Sequence, residues 1–271
     1  MDQSPHRWTR PSFPVLIGAV ALALFAAYSF FHARPPPRAG FAHQHATTSP
    51  SAHNSNSFGF NPAPLPTVLD AQDALTEALR RAGVVVNEGN SMQVMEQTMY
   101  YAMVAQQEWI RTICETGFNG GHSSVTWLSS SWDATLFSWD LPHPDYGPPA
   151  RAHVNRTFPG RFYITDGDST ITLPGFHKAN PDLRCDIIHV DGGHSYEVAI
   201  ADLRNFYHMA SRRRHIVLMD DLRCRGVYCI EPMKAWDQAV TEGWLRERAC
   251  YTKTDGWRGW CAGEYVFQDY E

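Results

Sequence analysis

Between residue 111 and the last residue, short apolar runs alternate with helix-compatible stretches at a regular spacing. Residues 112–114, 135–139, 162–164, 186–190 and 215–219 read as strands, each followed by a segment long enough for a helix. Parallel strands need crossover connections, and helices returning over both faces bury such strands completely. After a helix near 233–242, residues 248–253 and 264–268 read as a terminal antiparallel pair. The expected fold is therefore α/β: a Rossmann-like, doubly wound, mostly parallel seven-stranded sheet with flanking helices. In open sheets of this kind ligands bind at the carboxyl ends of the strands, so chemistry is sought there.

Upstream, the chain divides by composition. A short tail (1–12) precedes an apolar stretch in which residues 11–31 carry no charge, including VLIGAVALALFAAYSFF. As a helix this stretch spans roughly the 30 Å of a bilayer's hydrocarbon core. Residues 13–32 are therefore expected to form a transmembrane helix. A cleaved signal peptide is the competing reading, with Arg7 and Arg10 as its positive region, but bulky Phe31 spoils the small-residue cleavage pattern. Arg34 and Arg38 balance Arg7 and Arg10, so the charge rule gives no orientation. A short tail before one apolar helix and a large domain after it reads as a type II signal anchor of the secretory pathway, in the ER or Golgi, with the domain in the lumen. Residues 33–66 are rich in Pro, Ser and His without apolar periodicity and read as a disordered stem. Residues 67–110 form a helical extension, with helices at 68–82 and 92–109, and 111–271 form the sheet domain.

Cysteine use leans toward an oxidising compartment. Cys224 and Cys229 share one loop and Cys250 and Cys261 flank a hairpin, so two disulfides are expected. Cys114 and Cys185 lie inside expected strands and read as buried thiols. Asn155-Arg156-Thr157 is a glycosylation sequon, usable only in the lumen.

The net charge of −5, from 23 basic and 28 acidic side chains, offers no field that would gather a polyanion. Nucleic acid is not an expected partner, and Arg212-Arg213-Arg214 reads as a solvated helix end. Oligomeric state is not legible.

The first strand runs into Cys114-Glu115-Thr116-Gly117-Phe118-Asn119-Gly120-Gly121-His122-Ser123 and then a helix. Glycines let the backbone turn sharply and approach a ligand, and a helix start offers free N–H groups. The spacing is not that of the dinucleotide fingerprint, and Glu115 would repel a pyrophosphate but not a ligand bearing a sulfonium and an amino group. The second strand ends in Asp140, Asp168-Ser169 follows the third, Asp191-Gly192-Gly193-His194-Ser195-Tyr196-Glu197 follows the fourth, and Asp220-Asp221 ends the fifth.

In this order the motifs resemble the class I S-adenosylmethionine-dependent methyltransferases, in particular the branch acting on small-molecule and sugar hydroxyls. The resemblance covers about 111–268. It implies that Glu115 and Gly117 line the amino-acid end of S-adenosylmethionine, that Gly121, Ser123 and Asp191 also bind it, that Asp140 accepts from the ribose hydroxyls, and that Asp168 and Ser169 reach the adenine, with Asp166 a competitor for Asp168. It further implies that Asp191, Asp220 and Asp221 can share a divalent cation such as Mg²⁺, which would lower the acceptor hydroxyl's pKa. Asp191 and His194 are the implied catalytic pair. His194, three residues after Asp191, stands where related enzymes carry a base, although it can equally cap the following helix. His122, His189 and His215 read as structural; Trp257, Trp260, Tyr265 and Phe267 read as strand and core residues or as the wall of an acceptor pocket, and the sequence does not separate the two.

The resulting expectation is a membrane-anchored O-methyltransferase acting on a small-molecule or glycan hydroxyl. Two alternatives stay open. One is a Golgi-type glycosyltransferase using Asp166-Gly-Asp168 as its metal motif, and the other a non-catalytic cofactor-binding protein of the same fold.

Overall fold

The computed structural model of the protein describes residues 64–85 and 91–267. The expected membrane segment and the stem up to residue 63 lie outside these. Among the described residues no helix is long and apolar enough to cross a membrane.

Helix α1 (Pro64–Arg81) starts inside the stretch expected to be stem. Val68, Gln72, Leu75 and Leu79 recur at helical spacing and are buried, while Arg80 and Arg81 face solvent. Gly83, at φ +77°, ends it. A single 3-10 turn (Ser91–Gln93) leads into α2 (Met95–Ala105), shorter than the expected 92–109 because the chain must turn at Gln106 to enter the sheet. The elements β1 (Thr112–Thr116), α3 (His122–Ser130), β2 (Thr135–Asp140), α4 (Gly147–Thr157), β3 (Phe162–Asp166), α5 (Ser169–Ala179), β4 (Ile187–Val190), α6 (Tyr196–Met209) and β5 (Ile216–Asp220) follow in strict alternation. A second 3-10 turn (Val227–Cys229), α7 (Ile230–Thr241), β6 (Leu245–Thr252) and β7 (Gly259–Tyr265) complete the chain.

The strands lie in the order β3-β2-β1-β4-β5-β7-β6. The first five are parallel, β7 runs antiparallel to β5, and β6 pairs antiparallel with β7, so the sheet is mixed. The last hairpin is longer than expected on both arms, because Gly259, Trp260 and Cys261 belong to the strand rather than to the turn.

Consecutive strand residues go to opposite cores. Ile113, Ile187 and Ile216 pack with Leu75, Tyr101 and Trp127 on one face, whereas Cys114, Ile188 and Val217 pack with Leu203, Phe206 and Trp236 on the other. Burial on both faces is why these strands are unbroken apolar runs. Helices α1 and α2 contribute directly to the first core, so these two helices form a layer of the same domain.

All six cysteines are paired. Cys224–Cys229 and Cys250–Cys261 form the two links expected, the latter between directly opposed strand residues. Cys114 and Cys185, expected as buried thiols, are instead bonded to each other. Parallel pairing of β1 with β4 brings together two positions 71 residues apart, a proximity that no local spacing reveals. Replacing both Cys114 and Cys185 by Ala is expected to lower the unfolding free energy by about 2–4 kcal/mol, given the length of the closed loop. Urea denaturation measures this, and an unchanged midpoint would count against the link.

Candidate active site

The strand order reverses between β2-β1 and β4-β5, and a cleft of about 840 Å³ opens at the carboxyl ends of these strands. Its geometry starts from one glycine. Gly117 leaves β1 at φ +91°, and a Cβ added there would lie 1.7 Å from the carbonyl oxygen of Asp191. Backbone therefore touches backbone between the exits of β1 and β4, and only glycine permits it. Gly117 N donates to Trp139 O (2.9 Å) and Asp191 N to Thr116 O (3.1 Å), which ties three strand ends together.

Along one side of the cleft, Asp140 receives hydrogen bonds from Asn119 N (2.6 Å) and Leu141 N (2.8 Å). Burial raises its pKa, opposed by these amide donors and by the nearby His143. Gly167, Asp168 and Ser169 continue the wall. The Asp168 carboxylate itself caps α5, accepting from Thr170 N (2.9 Å) and Oγ1 (2.7 Å). Asp166 is held by Arg151 Nη1 (2.8 Å), which lowers its pKa. With one carboxylate in an ion pair and the other in a cap, Asp166-Gly-Asp168 does not form the metal motif that a glycosyltransferase reading requires.

Three residues expected to face the ligand do not. Glu115 is fully buried behind β1 and accepts from Ser123 Oγ (3.0 Å), Ser138 Oγ (3.1 Å) and Ser124 Oγ, with His189 Nδ1 at 3.7 Å. The strand runs two residues beyond its expected end, and side-chain alternation turns Glu115 away from the cleft while Thr116 reaches it. Ser123 faces Glu115, and Gly121, at φ +83°, starts α3 against the Phe118 ring. His189, His122 and His215 all have internal partners: Tyr101 Oη for His189, Thr76 Oγ1 for His122, and Ser211 O and Tyr265 N for His215. Burial lowers His122 to about 4, so it is neutral at physiological pH.

At the other end of the cleft stand Asp191, His194, Asp221, Tyr228, Arg258 and Gln93. His194 Nε2 lies 2.9 Å from Asp221 Oδ2, with the His194 side chain 50% exposed and that of Asp221 4%. The hydrogen bond that His194 donates to Asp221 raises its pKa, against the desolvation that lowers it. The guanidinium of Arg258, 20% exposed, reaches in with Nη1 3.5 Å from Asp221 Oδ1. Burial, then repulsion from neighbouring carboxylates, pushes Asp191 and Asp220 upward, and Arg258 opposes both shifts.

Of the acids expected to share a cation, Asp220 does not converge with the other two. The groups that do are Asp191, His194 and Asp221, whose ligand atoms lie within 4.8 Å of one another. Asp220 is buried, and its Oδ1 accepts from Asp221 N (2.9 Å). Asp221 sits at φ +56°, and this twist sends two adjacent carboxylates in different directions. With an arginine already paired to Asp221, the donor set does not fit Mg²⁺ held by three carboxylates.

Arg258 and Tyr228 were not found by sequence reasoning. Arg258 lies in the turn between β6 and β7, 37 residues after Asp221, and its one local signal is the flanking Gly256 and Gly259. Trp257, expected in the core, is largely exposed at this turn, while Trp260 and Tyr265 are buried strand residues.

In fold the chain is similar to solved Rossmann-like methyltransferases. Residues 114–222 match the model of a family described as a methyltransferase domain. Among solved structures, an O-methyltransferase from Bacillus cereus in complex with S-adenosylhomocysteine superposes with a TM-score of 0.58 at 13% identity, covering 72% of this chain and 90% of that one. A Klebsiella pneumoniae protein described as a putative O-methyltransferase gives 0.57 at 16% identity, covering 72% and 89%. A methyltransferase of Podospora anserina bound to S-adenosylhomocysteine gives 0.56 at 16% identity, covering 82% and 100%. No curated protein sequence matches the chain.

The His194–Asp221 pair makes a prediction that needs no substrate. Because Asp221 favours the imidazolium, His194 should titrate above its ordinary value of 6.5, and Asp221→Asn should move the midpoint down. Nuclear magnetic resonance of the imidazole across pH measures both; a midpoint indifferent to Asp221→Asn would mean the pair is not formed in solution.

Proposed function

We propose that the protein is an S-adenosylmethionine-dependent O-methyltransferase acting on a small-molecule or glycan hydroxyl. The observation that carries this is the shared cleft. A ribose-ready carboxylate, Asp140, and an oriented histidine, His194, line opposite ends of one cavity at the switch point of a methyltransferase-type sheet.

The residues present fit the methyl donor. Asp140, fixed by two backbone amides, retains lone pairs for ribose hydroxyls. Gly167 and Ser169, with the backbone of Asp168, flank the adenine side. The amino-acid end meets Thr116, Gly117 and Asn119 instead of Glu115, whose role is to lock α3 to β1 and β2. When bound, the donor supplies a methyl group on a positively charged sulfur. The chain's own contribution is alignment and proton removal. Asp221 holds His194 through Nε2, leaving Nδ1 as the nitrogen with a lone pair to take the acceptor's proton. The raised His194 pKa sets the sign: the basic form accumulates only as pH rises past that value, so turnover rises with it.

Calorimetry on the purified full-length protein tests the reading. S-adenosylhomocysteine should bind and nucleotide sugars should not. Asp140→Asn should weaken binding of S-adenosylhomocysteine roughly 10- to 100-fold, the worth of charge-assisted hydrogen bonds. His194→Ala should leave that affinity intact while abolishing turnover. Absence of S-adenosylhomocysteine binding by the wild type would overturn the assignment.

We further propose that residues 13–32 anchor the chain as a type II protein with this domain in the lumen of the secretory pathway. Three disulfides support an oxidising compartment. Asn155 of the sequon is exposed on α4 and so accessible to glycosylation. Endoglycosidase treatment of the protein from microsomes should increase its mobility on gels, and Asn155→Gln should remove the shift. A protease-accessible, unglycosylated domain in intact microsomes would place it on the other side.

A further inference from the structure

The acid cluster at the ends of β4 and β5 has a built-in counter-ion, and that counter-ion is held more firmly than a solvent-side arginine needs to be. Arg258 is carried on the β6–β7 turn. Its carbonyl accepts from Lys253 N (2.8 Å), and the next residue, Gly259, accepts from Leu222 N (2.9 Å) directly after the acids. A Cβ on Gly259 would lie 2.3 Å from Leu222 O, so the turn is pressed backbone-to-backbone against the exit of β5. Two further contacts pin it from the facing loop: Arg225 N donates to Gly256 O (2.9 Å), and Tyr228 Oη donates to Trp257 O. Each partner is braced by its own disulfide, Cys250–Cys261 on the hairpin and Cys224–Cys229 on the loop. Asp221 Oδ1, the oxygen facing Arg258, is buried and has no hydrogen-bond donor, because 3.5 Å is an ion-pair distance. Atoms 3.5 Å apart leave no room for an oxygen between them, but a hydroxyl seated to the cleft side of the pair lies within reach of the Arg258 guanidinium.

We propose that Arg258 takes the part a divalent cation would play, binding the acceptor's oxygen and stabilising its developing negative charge, so that this site works without a metal ion. The proposal rests on the methyltransferase reading above. In the step it implies, the acceptor's O–H bond breaks and its proton passes to His194. The oxygen's electron pair forms the new bond to the methyl carbon, and the methyl–sulfur bond breaks with its pair going to sulfur. Arg258 keeps its proton throughout and acts as a fixed donor aimed at the reacting oxygen.

Manganese(II), a paramagnetic substitute for Mg²⁺, tests the claim on the full-length protein by electron paramagnetic resonance, independently of any acceptor. The wild type should show no stoichiometric uptake at millimolar Mn²⁺. Arg258→Met removes the competing charge and should tighten Mn²⁺ binding by roughly tenfold or more, and adding Asp221→Asn should cancel the gain. Calorimetry with S-adenosylhomocysteine on the same samples reports folding and the cofactor reading separately. If the wild type fails to bind S-adenosylhomocysteine, the methyltransferase assignment fails while the Mn²⁺ result still decides who holds the acid cluster. Stoichiometric Mn²⁺ uptake by the wild type that Asp221→Asn abolishes would overturn the proposal. So would an Arg258→Met protein that binds S-adenosylhomocysteine normally and gains no Mn²⁺. Should Arg258→Met fail to fold, the wild type and Asp221→Asn decide: uptake that Asp221→Asn abolishes overturns the proposal, and the absence of such uptake supports it.

Discussion

The contact on which the site depends is the backbone approach of Gly117 to Asp191. It joins the exits of the two central parallel strands at less than side-chain distance, and everything that lines the cleft is positioned relative to it. Thr116 and Asn119 follow from the path of β1 through this glycine, and Asp140 is fixed through the amide of Asn119. Asp191 and His194 follow from the path of β4. A side chain at Gly117 would separate the two walls.

Charge is organised around the same exits. Five carboxylates, Glu115, Asp140, Asp191, Asp220 and Asp221, lie at or near the ends of four adjacent strands, an arrangement that would repel itself if left bare. The fold answers four of them differently. Glu115 is given three serine hydroxyls, Asp140 two backbone amides, Asp220 one backbone amide, and Asp221 a histidine and an arginine. The result separates carboxylates that hold the scaffold from carboxylates that face the cleft.

The strands and their order of appearance were legible because burial on both faces writes each of them as an unbroken apolar run, and the acids that end them mark the carboxyl side of the sheet. The pairs Cys224–Cys229 and Cys250–Cys261 were legible for a related reason: a short loop or hairpin brings its own ends together. Cys114–Cys185 was not, since a cysteine in β1 and one just before β4 carry no sign that the pairing of those strands brings them within bonding reach. The roles of Glu115 and Asp220 were misread through direction rather than identity. An extra two residues of β1 and a positive φ at Asp221 decide which carboxylate enters the cleft.

The sequence by itself determined the class of fold, the end of the sheet where chemistry belongs, and the acids that gather there, because hydrophobic periodicity and strand-end residues are local properties of the chain. Tertiary structure alone decided that Glu115 faces inward, that the cleft-facing set is Asp191, His194 and Asp221, and that Arg258 from a distant hairpin completes it. Those outcomes depend on register, strand length and the pressing of one turn's backbone against another, and such long-range contacts leave no periodic trace in the residues that make them.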